Sequence, residues 1–148
     1  MKRLAFLAVA GMLLAGCGGS SRLSKSAYEH HLQVDGSDIH KGITALTKST
    51  SIQQLVTGVD AAEASVKTAA DDLAALKPPS DAVDDNAAIV TGLRSTQSAL
   101  EQVKANPTGA RTIIARLQAS KSYKDALNAT ADLKKKGYKV GVIGAPAS

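Results

Sequence analysis

The stretch Ser51–Leu76, SIQQLVTGVDAAEASVKTAADDLAAL, decides the fold class of this chain. Within it Ile52, Leu55, Val59, Ala62, Val66, Ala69, Leu73 and Leu76 recur at alternating steps of three and four. That spacing puts them on one stripe of a helix, close to the roughly 3.5-residue repeat of helices packed along their length. Asp60, Glu63, Lys67 and Asp71 fall off the stripe and are expected to face water. Pro78 and Pro79 end the helix, because neither can donate a backbone hydrogen bond.

Downstream, Ser80 or Asp81 is expected to cap the next helix, with Asp84 and Asp85 in its first turn, where the helix dipole favours acids. Its apolar stripe reads Val83, Ala87, Val90, Leu93, Gln97, Leu100 and Val103, and Asn106-Pro107-Thr108-Gly109 closes it with turn residues. A further helical stretch starts near Thr108 or Ala110 with Ile113, Ile114 and Leu117 inward. Tyr123, Leu127 and Thr130 follow in another phase, so a break is expected between Ala119 and Ser122. Lys134, Lys135 and Lys136 occupy the last turn, and Gly137 follows as a C-cap. Upstream, Tyr28, Leu32, Ile39, Ile43 and Leu46 stand at helical spacing between about Leu23 and Thr50, with Ser26 and Glu29 as a capping box and Gly36 as a weak point. Short turns between these segments predict an all-α fold, an antiparallel up-down bundle of about four helices. Residues 23–137 form the bundle in this reading, and 138–148 an extended or disordered tail from which Val140, Val142 and Ile143 could pack back.

Composition agrees with a bundle. The 148 residues are 44% apolar and 21% charged, but only 3% aromatic, with no Trp. A core of Ala, Leu, Val and Ile fills narrow spaces between helices and lends itself poorly to a deep pocket, which is usually lined by large apolar and aromatic groups. A single cysteine rules out an internal disulfide.

That cysteine stands at the end of an export signal. Lys2 and Arg3 make a positive start, and Leu4–Ala15 carries no polar side chain. The run is too short to span a bilayer, which needs about 20 apolar residues, and it fits the apolar region of a secretory signal. Leu14-Ala15-Gly16-Cys17 resembles the lipobox of bacterial lipoproteins at all four positions. The resemblance implies a diacylglyceryl group on the Cys17 thiol, cleavage before Cys17, and a mature protein held on the extracytoplasmic side of the cell membrane. Residues 1–16 are then a signal peptide, and residues 17–22, which include Gly18-Gly19-Ser20-Ser21, a lipidated flexible tether.

Loss of Lys2 and Arg3 lowers the formal charge from +5 to +3, unevenly spread. Cys17–Ala110 holds eight basic and eleven acidic residues, while Arg111–Ser148 holds eight basic and two acidic ones. The basic quarter reads as a helix end favoured by its dipole and kept soluble by charge; contact with anionic headgroups or wall polymers is the other reading. Nucleic acid is excluded as a partner by export.

Little chemistry is legible. His30, His31 and His40, with Asp35 and Asp38 nearby, are of metal-ligand type, yet His31 and Asp35 are the one histidine–acid pair with the three- or four-residue spacing that a helical ligand pair needs. No metal site is expected. Serines are plentiful, but none lies in a G-x-S-x-G elbow, and Val140-Gly141-Val142-Ile143-Gly144 precedes no helix N-terminus that could hold a phosphate. No catalytic residue and no cofactor are expected, and no binding residue is named.

Over the mature chain, Leu23-Ser24-Lys25-Ser26-Ala27-Tyr28, Leu76-Lys77-Pro78-Pro79-Ser80-Asp81 and Gly137-Tyr138-Lys139-Val140 resemble segments of small exported helical proteins of actinobacteria. That group implies a helical fold and brings no function with it. The sequence therefore reads as a membrane-anchored envelope lipoprotein with a non-catalytic structural or interaction role; the alternative is a binding module for a small envelope ligand, related to transport.

Overall fold

The computed structural model describes residues 21–141; the residues read as a signal peptide and tether up to Ser20, Cys17 among them, and the tail residues from Val142 onward lie outside them. Among the described residues the chain is all-helical, with five α-helices packed against one another and no strand. They are α1 (Lys25–Thr47), α2 (Ile52–Ala75), α3 (Val83–Ala105), α4 (Ala110–Ala119) and α5 (Lys121–Lys135). Single 3₁₀ turns, Ser80–Ala82 and Pro107–Gly109, lead into α3 and α4. The expected count of about four becomes five because the anticipated break falls at Ser120. This residue leaves the helical region of backbone space, and its side chain accepts from the Tyr123 amide, capping α5.

Ser24 starts α1: its hydroxyl accepts the Ala27 amide at 3.2 Å. Ser26 therefore does not cap the helix, and Glu29 reaches instead to the Lys139 amide at 3.1 Å. The helix passes through Gly36 and Gly42 without a break. Both glycines are buried, and a Cβ on Gly42 would come 2.9 Å from the Ala62 Cα. Across the same interface a Cβ on Gly58 would meet the Leu46 backbone at 3.2 Å. Gly42 and Gly58 thus make a face that lets α1 and α2 approach closely.

In α2 the expected stripe is buried from Val59 through Ala62, Val66 and Ala69 to Leu73. Ile52, its first member, is 68% exposed instead, because it stands in the first turn of α2, at the edge of the packed unit. Asp60 and Asp71 face outward as expected, and each meets a cation of α3: Lys104 at 2.6 Å and Arg94 at 2.9 Å. Exposed pairs of this kind add little to stability.

The stripe read for α3 needs correction. Ala87 is exposed and Val83, Val90, Leu93 and Gln97 are half-buried, while Asp85, Asn86, Ile89, Gly92, Ala99, Leu100 and Val103 are buried. This helix packs against α2 on one side and α4 and α5 on others, so its buried arc is wider than one apolar stripe. The arc admits small and polar residues that a search for apolar periodicity passes over. Its start differs too: Ala82 occupies the cap position without a side-chain bond, and neither Ser80 nor Asp81 caps it.

Two apolar clusters make the core. One joins Tyr28 and Leu32 of α1 to Leu73, Ile89, Ala129, Leu133, Tyr138 and Val140. The other joins Ile39 to Val59, Ala62, Val66, Ala69, Leu100 and Val103, and half-buried Leu93 touches both. At the end of α5, Gly137 takes a φ of +78°, as read for the C-cap. The Gly137 amide then bonds the Lys134 carbonyl and the Tyr138 amide bonds the Leu133 carbonyl, each at 2.9 Å, a Schellman closure that turns Tyr138 inward. The packed unit thus extends past residue 137 to Val140.

Candidate functional site

Among the described residues, and apart from Thr130, whose hydroxyl bonds the Ala126 carbonyl within α5, buried polar side chains lie in two places. The first lies where the start of α1, the end of α2, the start of α3 and the residues after α5 meet. The Leu23 amide bonds the Lys77 carbonyl at 2.7 Å and Arg22 reaches the Pro78 carbonyl, so the chain enters the fold at this end. Inside, the Tyr28 hydroxyl donates to Asn86 Oδ1 at 3.0 Å, and Asn86 Nδ2 donates to the Leu73 carbonyl at 3.0 Å. Leu73 sits in the last turn of α2, where carbonyls lack partners within their own helix. Asn86 thus satisfies an orphan carbonyl of α2 and a buried hydroxyl of α1 together.

Around this bridge, the Tyr138 ring stands edge-on to Tyr28, 5.9 Å between centroids, and its hydroxyl donates to Asp81 Oδ1 at 2.7 Å. Lys136 donates to Asp85 Oδ2 at 2.6 Å and to the Asp81 carbonyl, and Lys25 lies over the Tyr138 ring while donating to the Lys136 carbonyl. The electrostatics follow from these contacts. Burial, then the Asp85 charge, pushes the Tyr28 hydroxyl upward. Burial and the bond to Asp81 push Tyr138 up to about 12. The Asp81 carboxyl is held below its ordinary range, first by the Tyr138 bond. Every group here already has a partner, so the cluster reads as a polar clamp between chain segments rather than a reactive centre. Lys136, read as one of three helix-end lysines, is part of that clamp, whereas Lys135 pairs with Asp132 at the surface.

The second place is the groove between α1 and α2, about 340 Å³, lined by Val34, Asp35, Asp38, Lys41 and, from α2, Ala64, Ser65, Thr68, Ala69 and Asp72. Asp35 is 7% exposed, and its Oδ2 has no hydrogen-bond partner. Buried carboxylate oxygens are ordinarily bonded, because an unmet one forfeits its hydration. Burial first, and then the neighbouring Asp72 charge, pushes the Asp35 carboxyl up to about 6, while His31 pulls it down. Asp38 is exposed and holds Lys41 at 2.8 Å.

The residues singled out by type are thus separated. Cys17 lies outside the described residues. His30 and His40 are exposed and His31 half-buried, and the adjacent His30 and His31 rings stand edge-on to one another at 63°, 6.3 Å between centroids. Among the described residues, no three His, Cys, Asp or Glu side chains gather closely enough to hold a metal ion. Asp35 was legible only as one acid near three histidines; its burial depends on the close approach of α1 and α2, which periodicity does not report. Among the described residues no helix is long and apolar enough to cross a membrane. No protein-family model matches this chain, and no curated protein or solved structure matches it.

Proposed function

We propose that this chain is a cell-envelope lipoprotein, anchored on the extracytoplasmic side of the membrane through lipid on Cys17, whose antiparallel up-down helical bundle acts by contact and not by catalysis. The observation that carries this reading is the lipobox-like Leu14-Ala15-Gly16-Cys17 behind an apolar run and two positive charges. One acyl chain holds a protein only weakly, at about 0.8 kcal/mol per buried methylene, so the two or three chains such a cysteine carries are what make the anchor lasting. The short tether ends at Arg22 and Leu23, beside Lys77, so the clamped end of the bundle lies nearest the lipid in this reading. The non-catalytic role is supported by the clamp, whose polar groups answer one another, and the partner would be an envelope protein or polymer. Cys17→Ser tests the anchor. The wild type should enter the detergent phase on phase separation and the variant stay aqueous; a wild type that stays wholly aqueous counts against the reading. A second reading, a binding module for a small envelope ligand, is favoured by one observation, the free buried oxygen of Asp35 in an open groove.

A further inference from the structure

The groove between α1 and α2 carries Asp35 at its floor, Asp72 on its α2 side and the Asp38–Lys41 ion pair on its α1 rim. Asp35 supplies a nine-tenths-buried carboxylate with one oxygen unmet. Asp72 faces it from α2 and is exposed, and Asp38 and Lys41 close the rim on α1 as an ion pair. Between these charges the walls are small and apolar: Val34, which is 45% exposed, Ala64 and Ala69. An unmet carboxylate oxygen calls for a donor, and a charged donor is held about twice as strongly as a neutral one. A divalent metal would need several oxygens converging on one point, whereas the floor offers a single free oxygen with a second carboxylate opposite. On the α1 rim Asp38 is already taken by the Lys41 head, which leaves Asp35 and Asp72 to a ligand.

We propose that this groove binds a primary ammonium group on an apolar stem, the head donating to the Asp35 carboxylate and facing Asp72, the stem lying along Val34, Ala64 and Ala69. The source is a small amine or a lysine side chain of a partner, which share this chemistry. This inference deepens the small-ligand reading and is independent of the anchor.

The test uses the full chain in a neutral detergent above pH 7, where Asp35 is ionised, with amide NMR shifts as the readout. n-Butylammonium should give saturable shifts confined to the groove-lining residues of α1 and α2. Tetramethylammonium, with the same charge and no N–H, should give none, and neither should calcium. Asp35→Asn, which keeps the shape and removes the charge, should weaken butylammonium binding about tenfold, the loss of one charge-assisted bond. Asp72→Asn, at the exposed rim where folding is not at risk, should weaken it severalfold, and Asp60→Asn, outside the groove, should not. Nα-acetyl-lysine methylamide separates the sources: binding as tight as butylammonium points to a partner's lysine, and weaker binding to a free amine. The proposal is overturned if butylammonium gives no saturable shift, if tetramethylammonium or calcium binds as well, or if both Asp35→Asn and Asp72→Asn bind as the wild type does. Cys17→Ser should bind butylammonium unchanged, so failure here and failure of the anchor are read separately.

Discussion

Asn86 stands between Tyr28 and Leu73, accepting the hydroxyl of the first and donating to the carbonyl of the second, each at 3.0 Å. One side chain of α3 thus ties α1 to the last turn of α2 inside the core. An isolated buried amide would be costly, but a fully answered one sets the relative position of the helices it joins. Tyr28→Phe removes the hydroxyl and leaves Asn86 Oδ1 unmet, for an expected loss of about 1–2 kcal/mol. Asn86→Ala strands both partners and should cost more, about 2–4 kcal/mol. Denaturant titrations of the two variants and the double variant would measure the coupling. Losses that add without interaction would show the bridge to be energetically idle.

Gly92 meets Ala126 where α3 crosses α5. A Cβ on Gly92 would lie 2.4 Å from the Ala126 Cβ and 3.1 Å from the Ser122 carbonyl oxygen. In a solvent-facing helix Gly→Ala gains about 1 kcal/mol from propensity. Here the overlap should reverse the sign, with a net loss of about 1–3 kcal/mol. Replacing Ala126 by Gly in the same chain should recover most of it. A Gly92→Ala variant with a raised melting temperature would contradict the close crossing.

Asp35 gives the protein a pH dependence of defined sign. Its ordinary value is 3.8, and burial beside Asp72 raises it to about 6 in the fold. The folded state therefore holds this proton more tightly than the unfolded chain. Below 3.8 the group imposes no penalty; the penalty grows as pH rises toward 6 and is complete above it. Asp35→Asn should accordingly stabilise the protein at pH 7.5, by the order of 2 kcal/mol, and leave it unchanged at pH 3.5. Comparing variant with wild type at each pH cancels the opposite contributions of Asp71, Asp81 and Asp132, whose carboxyls are held low by their partners. Urea midpoints at the two values decide the matter, and equal gains at both would disprove the assignment.

How much of this was legible depends on the residue. The stripe of α2 was readable because α2 buries one face, and Val59, Val66 and Leu73 mark it with large apolar side chains. For α3 the same method found Leu100 and Val103 but only part of the buried arc, since that helix packs against α2, α4 and α5 and its contacts run also through Gly92, Ala99 and Asn86. The end of α5 was legible because a glycine, Gly137, follows three lysines, and it takes the positive φ that closes the helix. Caps were misread where a cap-type side chain had a distant partner, as Asp81 has in Tyr138. The Asp35 groove left no trace in local sequence, because its walls come from two helices and its significance from an absent bond.

The two core clusters also differ in the length of chain that each must gather. The cluster around Val66 draws on residues between Ile39 and Val103, mostly neighbours in chain order. The cluster around Tyr28 needs Tyr138 and Val140, and beside it the Lys139 amide meets Glu29, 110 positions earlier. Closing that loop costs entropy before any contact repays it. Folding should therefore nucleate near Val66, with the two ends of the chain joining last. Val66→Ala should slow refolding, whereas Val140→Ala should leave refolding nearly unchanged and hasten unfolding, as stopped-flow traces would reveal. A newly made chain would then stay open at its Tyr28 end until Tyr138 and Val140 had emerged, a delay that suits the export proposed above.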